Sequence, residues 1–167
     1  MNIKTPRLII DELKQTDKLN YFNNISHDKE VLKTFVCQYQ EAVSDFDFDK
    51  YLGRDDLFAI RLKDTKELIG VFVECEASEE NSEVEFGYGI GSSYWNQGYM
   101  TETVKSLIKY YFENKPYKTI YASFFPENIA SKRVMEKCGM KYSHTKEKEL
   151  VYQDKERDLI YYKIEKA

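Results

Sequence analysis

Glu83, Glu85, Gly87 and Gly89 alternate along one β-type run, so all four point to the same side of a strand. A carboxylate in a partly buried cleft has its pKa raised, which makes it a better proton acceptor near neutral pH, directly or through water. Glu85 and Glu83 both qualify by position. The two glycines bare that face and weaken pairing with the next strand, as a bulge or a closely approaching ligand would; tight helix–sheet packing reads the same way.

Just beyond lie Tyr94, Trp95, Asn96, Gln97, Gly98, Tyr99, Met100, Thr101 and Glu102. Downstream of them Val104, Leu107, Ile108, Tyr111 and Phe112 recur with helical period. A strand that passes through a short loop into a helix aims the helix N-terminus, with its unpaired N–H groups and positive dipole end, beyond the strand's carboxyl edge. A phosphate ester suits that position, and Gly98 allows its oxygens close to the backbone; an ordinary strand–helix connection would use the glycine for its turn. A second strand–helix pair follows. The run from Thr119 to Phe124 is β-type, and the stretch from Asn128 to Met140 reads as a helix closed by Gly139 as its C′ residue. Asn128 opens that helix, where its side chain can cap or reach a ligand, and Ser131 lies one turn later on the same face.

Together these two stretches resemble the GNAT superfamily of acyl-CoA-dependent N-acetyltransferases, and the resemblance covers nearly the whole chain. The first is similar to the family's pyrophosphate loop (Arg or Gln, any two, Gly, any, Gly or Ala). The second is similar to its Asn-x-x-Ser/Ala helix ending in Lys-x-Gly-Phe. Within the superfamily, Pro6-Arg7-Leu8, Phe86-Gly87-Tyr88 and Tyr94-Trp95 resemble the branch that acetylates ribosomal-protein N-termini, the RimJ/RimL-like enzymes.

The resemblance implies a single-domain α/β fold over residues 1–167, a mixed β-sheet with splayed central strands and helices on both faces. It implies acetyl-CoA as co-substrate, held by the backbone of Tyr88, Gly89 and Ile90, by Asn96, Gln97, Gly98, Tyr99, Met100 and Thr101, and by Asn128. It implies direct transfer to a primary amine in a ternary complex, with Glu85 as base. Where many members carry a tyrosine acid, this chain has Met135, so Ser131 becomes the candidate donor to the leaving thiolate. Trp95, often found in this branch, stands for the usual Arg or Gln. Asn96 replaces a usual glycine and Met100 a usual small residue, changes that bear on cofactor affinity. The rival reading is a non-catalytic acyl-CoA binding or sensing module on the same fold.

At 167 residues, 42% hydrophobic and 32% charged, the chain fits one domain with a sizeable core, unusually aromatic through 14 Tyr and 10 Phe. Net charge of −4 argues against a general nucleic-acid-binding surface. Three cysteines without C-x-x-C spacing suggest neither a disulfide framework nor a zinc site, and no carboxylate–histidine cluster has metal-ligand spacing. With no long apolar run at the start, the expected setting is the cytoplasm, as a monomer or homodimer, without membrane or nucleic-acid partners. The acceptor amine, a protein N-terminus by branch resemblance, is otherwise open across small amines, polyamines, amino sugars and antibiotics.

In chain order, the pattern predicts a strand over 8–13 and a helix capped by Thr16 or Asp17 that carries Leu19, Phe22 and Ile25. A second helix from near Ser26 carries Val31, Leu32 and Phe35. Residues 38–56 are irregular and acidic, with Tyr39, Phe46, Phe48 and Tyr51 interleaved. They are acceptor-lining helices by resemblance, or a solvated acidic helix with its aromatics packed inward. Strands follow over 57–62, 68–75 and 83–90. A closing hairpin over 142–152 and 159–164 turns around 153–157.

Overall fold

A computed structural model describes all residues 1–167. Eight strands, β1 (Ile3–Lys4), β2 (Leu8–Glu12), β3 (Leu57–Leu62), β4 (Leu68–Ser78), β5 (Glu83–Ile90), β6 (Thr119–Phe124), β7 (Lys141–Tyr152) and β8 (Lys155–Glu165), form a sheet in the order β1-β2-β3-β4-β5-β6-β8-β7. The helices are α1 (Lys18–Tyr21), α2 (Tyr99–Asn114) and α3 (Ile129–Lys137). The sheet is mixed, as expected. β5 and β6, joined through α2, run parallel because a same-direction return needs a crossover, while the β2–β3, β6–β8 and β7–β8 pairs are antiparallel. The chain divides into two compact units, residues 1–73 with 88–103 and residues 74–87 with 104–167.

In the first unit the core gathers Leu13, Tyr21, Phe22, Ile25, Val31, Phe46, Phe48, Leu57, Leu68 and Val71. Its helices are shorter than the sequence predicts. Asp17 stands at the N-cap position of α1, as expected, but makes no side-chain cap: its carboxylate accepts the Lys14 N–H at 2.7 Å and meets Arg61. α1 gives way after one turn to a π-helical stretch, Phe22–Ser26, and Leu19, expected on the apolar face, is 56% exposed. The helix expected near Ser26 is a single 3-10 turn, Val31–Lys33. Asp28 caps this turn, so the chain starts to coil there and not at Ser26: its Oδ1 accepts the Glu30 and Val31 N–H groups at 3.1 and 3.3 Å while its Oδ2 accepts the Ser92 N–H at 2.8 Å.

Residues 38–56 hold two 3-10 turns, Val43–Asp45 and Asp49–Tyr51, and no α-helix. Phe46 and Phe48 are both buried though two positions apart, which no single helix face allows. With Tyr21 and Tyr51 they form an aromatic cluster whose ring centroids lie 5.2 to 6.1 Å apart. Phe46 and Phe48 pack inward as the second reading expects, but from 3-10 turns and not from the helix that both readings suppose.

Where β4 and β5 meet in this unit, a Cβ on Gly70 would lie 2.5 Å from the Gly89 carbonyl oxygen and 3.2 Å from Ile90 Cα. Backbone cannot yield as a side chain can. Gly70→Ala is therefore expected to cost roughly 1–3 kcal/mol of stability, measured by urea unfolding, the range for overpacking a closed core.

In the second unit Val104, Leu107 and Tyr111 of α2 are buried, and the Tyr111 ring meets Phe86 edge-on at 4.7 Å while its hydroxyl donates to Glu74 at 2.6 Å. The closing hairpin has a tighter turn than expected. Only Gln153 and Asp154, at φ 53° and 61°, separate β7 from β8; positive φ at both central positions matches the twist of the flanking strands. Gly139, at φ 85°, ends α3 as predicted, with its N–H on the Glu136 carbonyl and the Met140 N–H on that of Met135, both at 3.0 Å.

Candidate functional site

The first unit holds the loop. After β5 the Gly91 N–H donates to Ile69 O at 2.8 Å, and a 3-10 turn, Ser92–Tyr94, redirects the chain. Tyr94 anchors it by donating its hydroxyl to Glu67 at 2.7 Å, and the Trp95 indole N–H donates to the Ile90 carbonyl at 2.9 Å. Asn96 and Gly98 then take left-handed conformations, φ 59° and 80°, ahead of the first turn of α2. Asn96 thus takes a glycine-like turn conformation, since asparagine tolerates that region. The Gly98 carbonyl accepts the Glu102 N–H at 3.0 Å and starts the helix. The amides of Tyr99 and Met100 belong to the turn that has no carbonyl one turn earlier. Residues 95–98 are exposed, whereas Met100 is only 8% exposed, so its side chain packs inward and leaves the loop's mouth clear. Both departures at this loop are accommodated in its geometry.

A pyrophosphate fits this cradle: two left-handed residues, an exposed glycine and the N-terminus of a sixteen-residue helix are what a diphosphate needs for several backbone donors at once. Of the three β5 residues expected to meet the pantetheine arm, Ile90 has its carbonyl committed to Trp95. The side of Gly89 that a Cβ would occupy is filled by the Phe35 ring, whose Cγ would be 2.9 Å away, so only the backbone of Gly89 remains for a ligand.

The second unit holds the carboxylate. The β5–β6 register runs from Glu83↔Thr119 to Phe86↔Ala122 and stops just before Gly87, although β6 goes on with Ser123 and Phe124 paired to β8. Where pairing ends, Ser123 donates its hydroxyl to Glu85 Oε1 at 2.7 Å. Burial pushes the Glu85 carboxyl above its ordinary value; the Ser123 hydrogen bond pulls it back, and the nearby Glu76 carboxylate adds to the rise. Glu83 lies on the same face, and Tyr121 donates to it at 3.4 Å. Both glutamates line a cavity of about 270 Å³ with Glu76, Tyr121, His144, Lys146 and Tyr161. The Tyr161 hydroxyl is pushed up to about 12, by burial first and then by Glu85 and Glu149, as expected beside clustered carboxylates.

Asn128 spends its side-chain oxygen as the N-cap of α3, accepting the Ser131 N–H at 3.1 Å. Ser131 is buried, and Met135 at 0% exposure fills core, so no proton donor stands at its position. The structure thus groups residues 88–90 with 96–101 in the first unit, and Glu85 with Ser123, and Asn128 with Ser131, in the second. Sequence reading missed Ser123, whose signal was the parallel register that sets β6 beside β5. His144, marked by no sequence motif, also lines the Glu85 cavity and stacks on Tyr161 at 4.6 Å. A larger depression of about 620 Å³, lined by residues that include Lys4, Asp11, Asp17, Arg61 and Lys66, contains none of the expected site residues. Its two aspartates are engaged by Arg61, so size alone does not locate the chemistry.

The family described as "Acetyltransferase (GNAT) domain" matches residues 7–141, and the chain belongs to it. The uncharacterized N-acetyltransferase YnaD of Bacillus subtilis is 30% identical over 146 residues, 84% of this chain and 83% of that protein. The uncharacterized N-acetyltransferase p20 of Bacillus licheniformis is 30% identical over 102 residues, 61% of this chain; the match spans 57% of that protein's length. The crystal structure of a GNAT-family acetyltransferase from Bacillus anthracis superimposes with a TM-score of 0.85 at 28% identity, covering 99% of this chain and 98% of the other. No helix is long and apolar enough to cross a membrane.

Proposed function

We propose that the protein transfers the acetyl group of acetyl-CoA to a primary amine by direct attack. The observation that carries this reading is the loop of residues 96–98, left-handed at Asn96 and Gly98 and opening onto the N-terminus of α2, in a chain of this family. Bound acetyl-CoA would supply the activated thioester. Backbone donors of Gln97, Gly98, Tyr99, Met100 and Thr101 hold its diphosphate, and backbone groups of Tyr88 and Gly89 line its pantetheine arm. Glu85, raised by burial and held by Ser123, takes the ammonium proton of the acceptor. Ser131 is the candidate donor to the departing thiolate, and Asn128 serves by fixing the turn that carries it.

The finer assignment, a protein N-terminus as acceptor, rests on Pro6-Arg7-Leu8, Phe86-Gly87-Tyr88 and Tyr94-Trp95. A thiol-release assay with acetyl-CoA against N-terminal peptides, diamines and amino sugars tests both levels. Release with a peptide N-terminus and not with the others supports the branch. Release with a different amine keeps the transferase and removes the branch. Cofactor binding without release on any amine favours the sensing module.

A further inference from the structure

Arg7, singled out above only as part of a branch motif, has a physical task in the first unit. Its Nε donates to Glu102 Oε2 at 2.7 Å and its backbone N–H donates to Glu102 Oε1 at 2.9 Å. Thr5 donates its hydroxyl to the same Oε1 at 2.6 Å. The guanidinium then reaches the loop, where Nη1 donates to the Gln97 carbonyl at 2.9 Å and the cation lies 4.4 Å from the centre of the Tyr99 ring. A Cβ on Gly98 would come within 3.4 Å of Arg7 Nη2.

Two consequences follow from elementary geometry and charge. The peptide unit between Gln97 and Gly98 is planar and trans, so turning its carbonyl toward Arg7 turns the Gly98 N–H to the opposite side. Arg7 therefore sets the direction in which that donor points. Glu102, meanwhile, puts a carboxylate in the first turn of α2, close to where an anion would be held. An unneutralised carboxylate there would repel a diphosphate; the Arg7 guanidinium cancels it, and together with Thr5 holds the Glu102 carboxyl below its ordinary range against the opposing effect of burial.

The geometry points to Arg7 as the positioning residue of the diphosphate loop: through Glu102 and the Gln97 carbonyl it fixes the loop in its anion-binding form. This inference rests on the acetyl-CoA reading above. It adds a residue outside the loop and α2 to the machinery that binds the cofactor, and assigns no contact between Arg7 and the reacting atoms.

The test is calorimetric binding of CoA and of S-acetylpantetheine, which lacks the diphosphate and nucleotide, to wild-type protein, Arg7→Ala and Arg7→Lys, with thermal melting of each as a check on folding. The expected result for Arg7→Ala is CoA binding weaker by on the order of tenfold or more, the size of one lost charge-assisted interaction, with S-acetylpantetheine affinity unchanged. In steady-state assays the KM for acetyl-CoA rises while kcat at saturation stays within about twofold, the pattern for lost ground-state binding. Arg7→Lys keeps the charge but cannot span Glu102 and the Gln97 carbonyl together, so its CoA affinity stays close to that of Arg7→Ala. Full restoration by lysine would overturn the positioning role in favour of charge alone. Equal loss for CoA and S-acetylpantetheine would overturn it in favour of a general structural role. If wild-type protein binds no CoA, the acetyl-CoA reading itself fails, an outcome separate from any difference among the variants.

Discussion

Replacing Arg61 with methionine is expected to lower the unfolding free energy by roughly 3–5 kcal/mol, the cost of removing one partner from a buried ion pair and leaving the other uncompensated. Arg61 is 3% exposed near the C-terminal end of β3. Its Nε meets Asp11 at 2.5 Å, its Nη1 and Nη2 both bond the Asp17 carboxylate, and Nη2 also donates to the Glu12 carbonyl at 2.8 Å. Methionine fills much of the volume, so the loss is electrostatic more than steric. For a chain of this length the melting temperature should fall by roughly 6–20 °C. Adding Asp17→Asn removes the more deeply buried of the two carboxylates left unpaired and should recover part of the loss, a non-additivity that marks a shared network. A fall of less than about 1 kcal/mol in Arg61→Met would mean that water replaces the guanidinium and that the triad behaves as a surface pair.

Glu85→Gln carries the largest expected effect on activity, a fall in kcat of roughly 10²–10⁴, the usual contribution of a positioned proton acceptor. Its pH signature has a definite sign. Because burial raises the Glu85 pKa above 4.5, kcat of the wild type should climb as pH rises through that shifted value, and the glutamine variant should lose the rising limb. Stability should respond in the opposite direction. A raised carboxyl pKa means that the folded state holds its proton over a window in which the unfolded chain has released it. The group's favourable contribution is therefore complete below the unfolded value and is lost as pH rises through the folded one. Glutamine imitates the neutral acid, so at neutral pH the variant should unfold at a higher temperature than wild type, with the gap closing in acid. Unchanged kcat and unchanged stability across pH together would remove Glu85 from the chemistry and leave Glu83 as the carboxylate to test.

The sheet was largely legible because its signals are local: apolar alternation and runs fix β2, β3, β5 and β6, and the helical stretch between β5 and β6 forces a parallel pair. The turn proposed to hold the diphosphate was legible as a strand–loop–helix for the same reason, since Gly98 and the first turn of α2 are neighbours in sequence. The misses are non-local. β1 is two residues long and exists through pairing with β2. The helix expected near Ser26 starts instead at Asp28, which caps a single turn with one oxygen while its other accepts the Ser92 N–H from far along the chain. Phe46 and Phe48 obey a cluster with Tyr21 in place of a helical period. Ser123 beside Glu85, and Arg7 against Glu102 and Gln97, are likewise pairs that only the folded register brings together. Asn96 and Met100 looked like obstacles by residue type. Their backbone conformation and burial make them compatible with the loop.

The most direct test of the account is a calorimetric titration of acetyl-CoA into the purified protein, with desulfo-CoA and 3′,5′-ADP as comparisons. The account predicts micromolar binding of acetyl-CoA, close to that of desulfo-CoA, and much weaker binding of 3′,5′-ADP, which lacks the diphosphate bridge and the pantetheine arm. Absence of acetyl-CoA binding by folded protein would contradict it and turn the loop of residues 96–98 into an ordinary strand–helix connection.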